Sequence, residues 1–419
     1  MQINIHAMKY STVSKTFMMI GLLMAGFAAG AQDVMDRYLV IAAENNPGLR
    51  SRFNAYMAAL ETVPQAGALP DPQLAFGYFI RPVETRLGPQ EFRISASQMF
   101  PWFGTLKTRE KTASSQARAK YETFLEARSD LFNQVRATYY SLYFNEKAIS
   151  IVRDNIRILN TFRKLALAKI EAGRTSTVDR YRIDMEMGDL ENRLALLMDQ
   201  QTSLEVEFFN LLNTEQEPIV FPDTLWDSAP VMERHEILDT ILARNHQLLS
   251  LELQRDALSN RKKLAGKEGR PDFSVGLDYI FIGEGQDQSG FNDALMFPRI
   301  GITIPLYREK YRSMVREAAY LETAKENEKA EKENRLETMF EKIWKEYLDA
   351  SRRRTLYGRQ KDLAEKSIRL LHTSYATDGS NFEEILRMER KLLFYALELE
   401  RARADRQAAI SFMDYLSGG

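Results

Sequence analysis

The 419-residue chain has no cysteine, only four histidines and almost no net charge, with 57 Lys and Arg against 58 Asp and Glu. Without cysteine there is no disulfide framework, no thiolate metal site and no lipid-carrying N-terminal cysteine. Near-neutrality argues against a nucleic-acid partner, which asks for a basic surface. The recurring signatures of catalysis are missing too. There is no Gly-rich phosphate loop, no Gly-x-Ser-x-Gly elbow and no His-Glu-x-x-His, since "HEILD" at His235 lacks the second histidine. The residues therefore favour no enzyme, resident metal or cofactor.

The first informative segment is the N-terminus. Lys9 and Lys15 precede the apolar run "FMMIGLLMAGFAA", and Ala29-Gly30-Ala31 is a small-x-small site before Gln32. Together these read as a cleaved secretory signal over residues 1–31, with either Met1 or Met8 as the start. The run is short for a membrane-spanning helix, and no later segment resembles one.

Beyond it, one order of elements occurs twice. Residues 32–212 predict a helix from about Val34 to Val63, a strand pair from Leu74 to Phe100, a long helix from about Thr105 to Glu171, a glycine turn and a helix from about Val178 to Leu212. Residues 231–419 repeat that order, and 213–230, with three prolines, reads as a linker. The long helices measure about 100 Å at 1.5 Å per residue. In the first, Leu131, Val135, Thr138, Leu142, Asn145, Ile149, Val152, Ile156 and Leu159 alternate steps of four and three, a coiled-coil seam. Leu336, Phe340, Ile343, Tyr347 and Ala350 keep that rhythm in the second.

The four strands alternate cleanly. Phe273, Val275, Leu277, Tyr279 and Phe281 share one face, and Ser274, Gly276 and Asp278 the other. Leu74, Phe76, Tyr78 and Ile80, then Phe92, Ile94 and Ala96, and finally Ile300, Ile302 and Ile304 repeat the pattern. A small sheet covered by helices is one reading. Against it, the rods carry too narrow an apolar stripe to cover a sheet, and aromatics gather at the strand ends, as in outer-membrane barrels. Four strands cannot close a barrel alone, because open edges are not tolerated in lipid.

The tandem order, the strand openings "PDPQLAFGYF" and "RPDFSVGLDY", and the strand-to-helix junctions "MFPWFGTLKTRE" and "IPLYREKYRS" resemble the TolC family of outer-membrane efflux channels across nearly the whole chain. The fused aromatics of "QMFPWFG" with "IPLY" are similar to its heavy-metal branch. The resemblance implies a mainly α fold with a small β part. Three chains would each give four strands to one 12-stranded barrel, and their helical hairpins would form a hollow periplasmic cylinder. It implies a homotrimer in the outer-membrane lipid that serves as the passive exit duct of a tripartite system, docked to a periplasmic adaptor and an inner-membrane pump. Its cargo would be drugs or heavy-metal cations.

The resemblance also assigns residues. Pro101, Trp102, Phe103, Pro305 and Tyr307 mark the junctions between strand and helix, where a proline ends the ladder and rings favour the membrane interface. Gly173, Arg174, Thr175, Ser176, Gly379, Ser380 and Asn381 form the hairpin tips that would touch the adaptor. Glu383 and Glu384, with Arg387, Tyr375 and Asp179, fall at the periplasmic gate, although Arg387 stands where the family pattern has a second acid. Met185 and Met187 lie on different helix faces, and His372 precedes a tip; all three read as packing or surface residues rather than ligands. The rival reading is a soluble periplasmic coiled-coil adaptor or chaperone, which would lack the duplicated two-faced strands.

Overall fold

The structure is a computed structural model, described here for residues 31–173, 176–284, 293–378 and 382–419. The expected secretory segment and five of the seven tip residues (Arg174, Thr175, Gly379, Ser380 and Asn381) lie outside these residues. The elements run α1 (Ala31–Asn45), α2 (Pro47–Gly67), β1 (Gln73–Thr85), β2 (Gly88–Phe100), α3 (Thr105–Glu171) and α4 (Thr177–Leu212). The same order follows as α5 (Arg234–Arg244), α6 (His246–Glu268), β3 (Asp272–Ile282), β4 (Ala294–Thr303), α7 (Arg308–Asp378) and α8 (Phe382–Leu416).

The helix expected from Val34 to Val63 is broken in two at Asn46. Pro47 has no N–H to continue the ladder and holds the preceding residue in an extended conformation. Asn46 accordingly sits at φ −62°, ψ 120°, and its side-chain oxygen accepts from the Leu49 N–H at 3.1 Å. The second half breaks at the matching place without a proline: Asn245 is extended and accepts from the Gln247 N–H at 3.0 Å.

The seam of α3 is the axis of the helical part. Leu131, Val135, Thr138, Leu142, Asn145, Ile149, Val152 and Leu159 are all buried, while Asn155 is buried where the seam predicted Ile156. Toward the hairpin tips this seam packs against Ile183 and Leu190 of α4 and Ile385, Leu386 and Leu393 of α8. Nearer its middle, Tyr139 and Tyr143 meet Leu39 of α1 and Phe208 of α4. Ile237 and Leu248 join Leu336, Phe340 and Met413 in a third apolar cluster.

The segment between the halves is strapped down. Leu225 is buried, the Tyr139 hydroxyl donates to the Val220 carbonyl at 2.8 Å, and Gln407 donates to the Trp226 carbonyl at 2.6 Å. Arg406 of α8 meets Asp227 at 2.8 Å. These partners lie far away in sequence, so the three prolines signal irregular backbone without signalling that it is fixed.

The four strands form one antiparallel sheet in the order β1-β2-β3-β4. The two halves are joined through the β2–β3 ladder, where Ser95 faces Asp278 and Ala96 faces Leu277. Among the described residues β1 and β4 have one neighbour each, and both outer edges of the sheet are open.

Candidate functional site

Register fixes the two faces of the sheet. Leu74 opposes Ala96, Phe76 opposes Ile94, Tyr78 opposes Phe92, and Val275 opposes Ile300, so the apolar residues of all four strands share one side. That side is left uncovered: Phe76, Tyr78 and Ile300 are 68%, 75% and 69% exposed. An apolar sheet face this open has no place in water. Among the described residues no helix is long and apolar enough to cross a membrane, which says nothing of strands.

The other side is polar and holds a charge cluster. Asp278 is fully buried between Arg93, at 2.8 Å, and Arg299, at 3.3 Å. The Arg93 Nε also donates to the Ser95 hydroxyl at 3.1 Å. Alternation puts Asp278 on this face, but it does not reveal the two arginines that enclose it.

The junctions lie where the prolines predicted. β2 ends at Phe100, one residue before Pro101, and β4 ends at Thr303, two before Pro305. The Trp102 amide donates to the Asp272 carboxylate at 3.0 Å, and the Trp102 ring stacks on Phe273 with centroids 6.0 Å apart. Phe103 and Tyr307 point outward, 78% and 83% exposed. Between Phe103 and α3, Gly104 takes a positive φ of 75°, and its carbonyl accepts from Lys267 at 3.0 Å. The swerve from strand to helix is thus clamped by residues of the other half.

At the far end, Gly173 turns the chain with φ 69°, and Ser176 caps α4 by accepting from the Val178 N–H at 3.2 Å. Arg182 brings together two of the residues expected at the gate, reaching Asp179 at 3.5 Å and Glu383 at 3.1 Å. Glu384 is ion-paired with Arg387, one turn on. Tyr375 is buried, with Lys169 3.6 Å above its ring and bonded to its carbonyl at 2.7 Å. Burial first, and the Asp179 carboxylate second, raise the Tyr375 phenol above its ordinary value. Arg182 and Lys169 were missed in the sequence, although the three-residue steps Asp179–Arg182 and Glu384–Arg387 were there to read as helix pairs.

Met185 is exposed and Met187 buried, so the two do not converge. No cluster of three metal-ligating side chains occurs among the described residues. His372 packs edge-on against Phe162, with centroids 5.0 Å apart, and its Nε2 is 3.6 Å from the buried Glu389.

Residues 39–214 match the family profile described as outer membrane efflux protein. No curated protein sequence matches the chain. Among solved structures, the outer membrane protein VceC of Vibrio cholerae superposes with a TM-score of 0.73 at 13% identity, covering 92% of this chain and 96% of that one. The open-state outer membrane channel MtrE of Neisseria gonorrhoeae gives 0.74 at 13% identity, over 92% and 89% of the two chains. CusC, whose structures concern transmembrane channel formation, gives 0.71 at 15% identity over 94% and 96%. These values establish a shared fold.

Proposed function

We propose, from its place in the TolC family of outer-membrane efflux proteins, that this chain is one protomer of a homotrimeric exit duct in a tripartite efflux system. One observation carries the reading: a sheet with an exposed apolar face and two open edges. In hydrocarbon every backbone N–H and C=O needs a partner, so β1 and β4 must pair with other copies. The strands run alternately up and down, which sets β4 of one copy antiparallel to β1 of the next. Three copies close 12 strands, an even number within the range of known barrels.

The two repeats, 32–212 and 231–419 about the 213–230 strap, then form one elongated protomer. Its junctions at Pro101, Trp102, Phe103, Pro305 and Tyr307 lie at the periplasmic edge of the membrane. The hairpin tips, from Gly173 to Ser176 and from Gly379 to Asn381, dock a periplasmic adaptor that links the duct to an inner-membrane pump. Asp179, Tyr375, Glu383, Glu384 and Arg387 form the gate just above them. The cargo is small toxic solutes, moved without energy from the duct itself.

Light scattering on detergent-purified protein, corrected for bound detergent, should return the mass of three chains. A stable, folded monomer, or recovery in the soluble periplasmic fraction, would overturn the duct in favour of a coiled-coil adaptor or chaperone.

A further inference from the structure

At the level of Arg93 and Arg299 the polar face of the sheet carries two positive charges against one negative. Arg93, Asp278 and Arg299 occupy neighbouring positions on β2, β3 and β4, and their carboxylate is buried while both arginine side chains remain more than a third exposed. Around them the face is small and uncharged: Ala75, Gly77, Ser97, Ser274 and Gly301. Gly276 makes the room. A Cβ there would stand 2.9 Å from the Ala96 carbonyl and 3.2 Å from Arg299 Nε, so a larger residue would push the guanidinium off the sheet. Asp272, toward the helices, is six residues from Asp278, about 20 Å along a strand and beyond two Debye lengths.

We infer that the barrel interior carries an electropositive belt, at the level of Arg93 and Arg299, that selects anionic solutes over cations. The inference rests on the trimeric duct. Three copies place six guanidiniums against three buried carboxylates on the inner wall. Twelve strands make a barrel wider than the eight-stranded ones that side chains fill, so the exposed guanidinium edges border water. A ring of one sign between low-dielectric walls concentrates counter-ions. Its spare N–H groups point to carboxylate, sulfonate or phosphate as the favoured chemistry of the cargo, because a guanidinium fork matches those groups. The gate does not duplicate this bias, since Glu383 and Glu384 are each held by an arginine of their own chain.

The absence of cysteine gives a clean probe of the belt. Ser97, opposite Gly276 on the polar face, becomes the only thiol in Ser97→Cys. Purified trimers in liposomes of neutral lipid are treated with an anionic (sulfonatoethyl) and a cationic (trimethylammonioethyl) methanethiosulfonate at about 0.15 M salt, where Asp272 is screened. The rates are normalised to free cysteine, so a change in thiol pKa cancels in the ratio. The anionic reagent should react about tenfold faster, the effect of a local potential near +1 kT/e acting on both probes. Arg93→Gln with Arg299→Gln should bring the ratio to one or below, since the Asp278 carboxylates then stand alone, while Arg93→Lys with Arg299→Lys should retain most of it. A ratio at or below one in the parent, a ratio unmoved by the Gln pair, or an assembled trimer that neither reagent labels would overturn the belt. A monomer, or a thiol reached only by a lipid-soluble maleimide, would instead overturn the duct on which it rests.

Discussion

Glu389 is a carboxyl group in a place that disfavours its charge. It lies on α8, buried, with Oε2 unpartnered and His372 of α7 too far for a good hydrogen bond, and burial pushes its pKa up to about 7. Burial also lowers His372, so both groups favour their neutral forms in the packed hairpin. For Glu389 the folded value stands above the ordinary 4.5. The folded state therefore holds the proton more tightly, and its advantage is complete below about pH 4.5 and lost as pH rises to about 7. His372 acts in the opposite sense, costing stability as pH falls below its ordinary range. Glu389→Gln removes only the first term. The variant should be more stable than the parent by about 2 to 3 kcal/mol at pH 8, with the difference vanishing near pH 4.5. Denaturant melts of the helical signal at several pH values check this, and a difference independent of pH would show that Glu389 is not held neutral.

At the scale of the strand, adjacent residues have opposite duties. Leu277 lies on the exposed apolar face and Asp278 beneath the two arginines. Leu277→Asp puts a charge against lipid, at a cost of up to a few kcal/mol depending on depth, and should lower the yield of assembled trimer. Alternation alone would make Asp278→Leu harmless; the structure says otherwise, because it strips two guanidiniums of their carboxylate. The arginines left behind are partly exposed, so the cost stays below the roughly 3 to 5 kcal/mol of a fully buried pair, at about 1 to 3 kcal/mol. Adding Arg93→Met and Arg299→Met should restore much of the yield lost by Asp278→Leu and nothing of that lost by Leu277→Asp. Heat-modifiable trimer on unheated gels is the readout, and equal rescue of both would show the faces misassigned. The strands were legible because period-two alternation with one polar face leaves little choice of side. The limits of α3 were legible as well, Gly104 and Gly173 standing just outside Thr105–Glu171. The breaks at Asn46 and Asn245 were not, since apolar periodicity runs on across them; Asn46 with Pro47 marks the first stop and the Asn245 cap the second. The Arg93–Asp278–Arg299 cluster and the strap on Tyr139 join residues far apart in the chain, which no local pattern announces.

For the whole molecule, the distribution of these charges decides how the proposed duct is restrained at its hairpin end. Arg182 of α4 holds Glu383 of α8, and Lys169 of α3 holds the Tyr375 carbonyl of α7, so the ends of the two hairpins are tied within one chain. Among the described residues Glu384 is tied along its own helix, to Arg387. A bare acidic ring at the tip would favour cations; this tip presents acids already paired. Replacing both acids, Glu383→Gln with Glu384→Gln, therefore exposes unpaired Arg182 and Arg387 side chains and loosens α4 from α8. The ties are exposed and screened by solvent, so trimer assembly should be unaffected. Conductance in planar bilayers should rise, and the reversal potential across a salt gradient should move toward anions, because guanidiniums at the tip would then act in the same sense as the belt in the barrel. A double variant that assembles normally and conducts like its parent would show that these pairs do not restrain the tip.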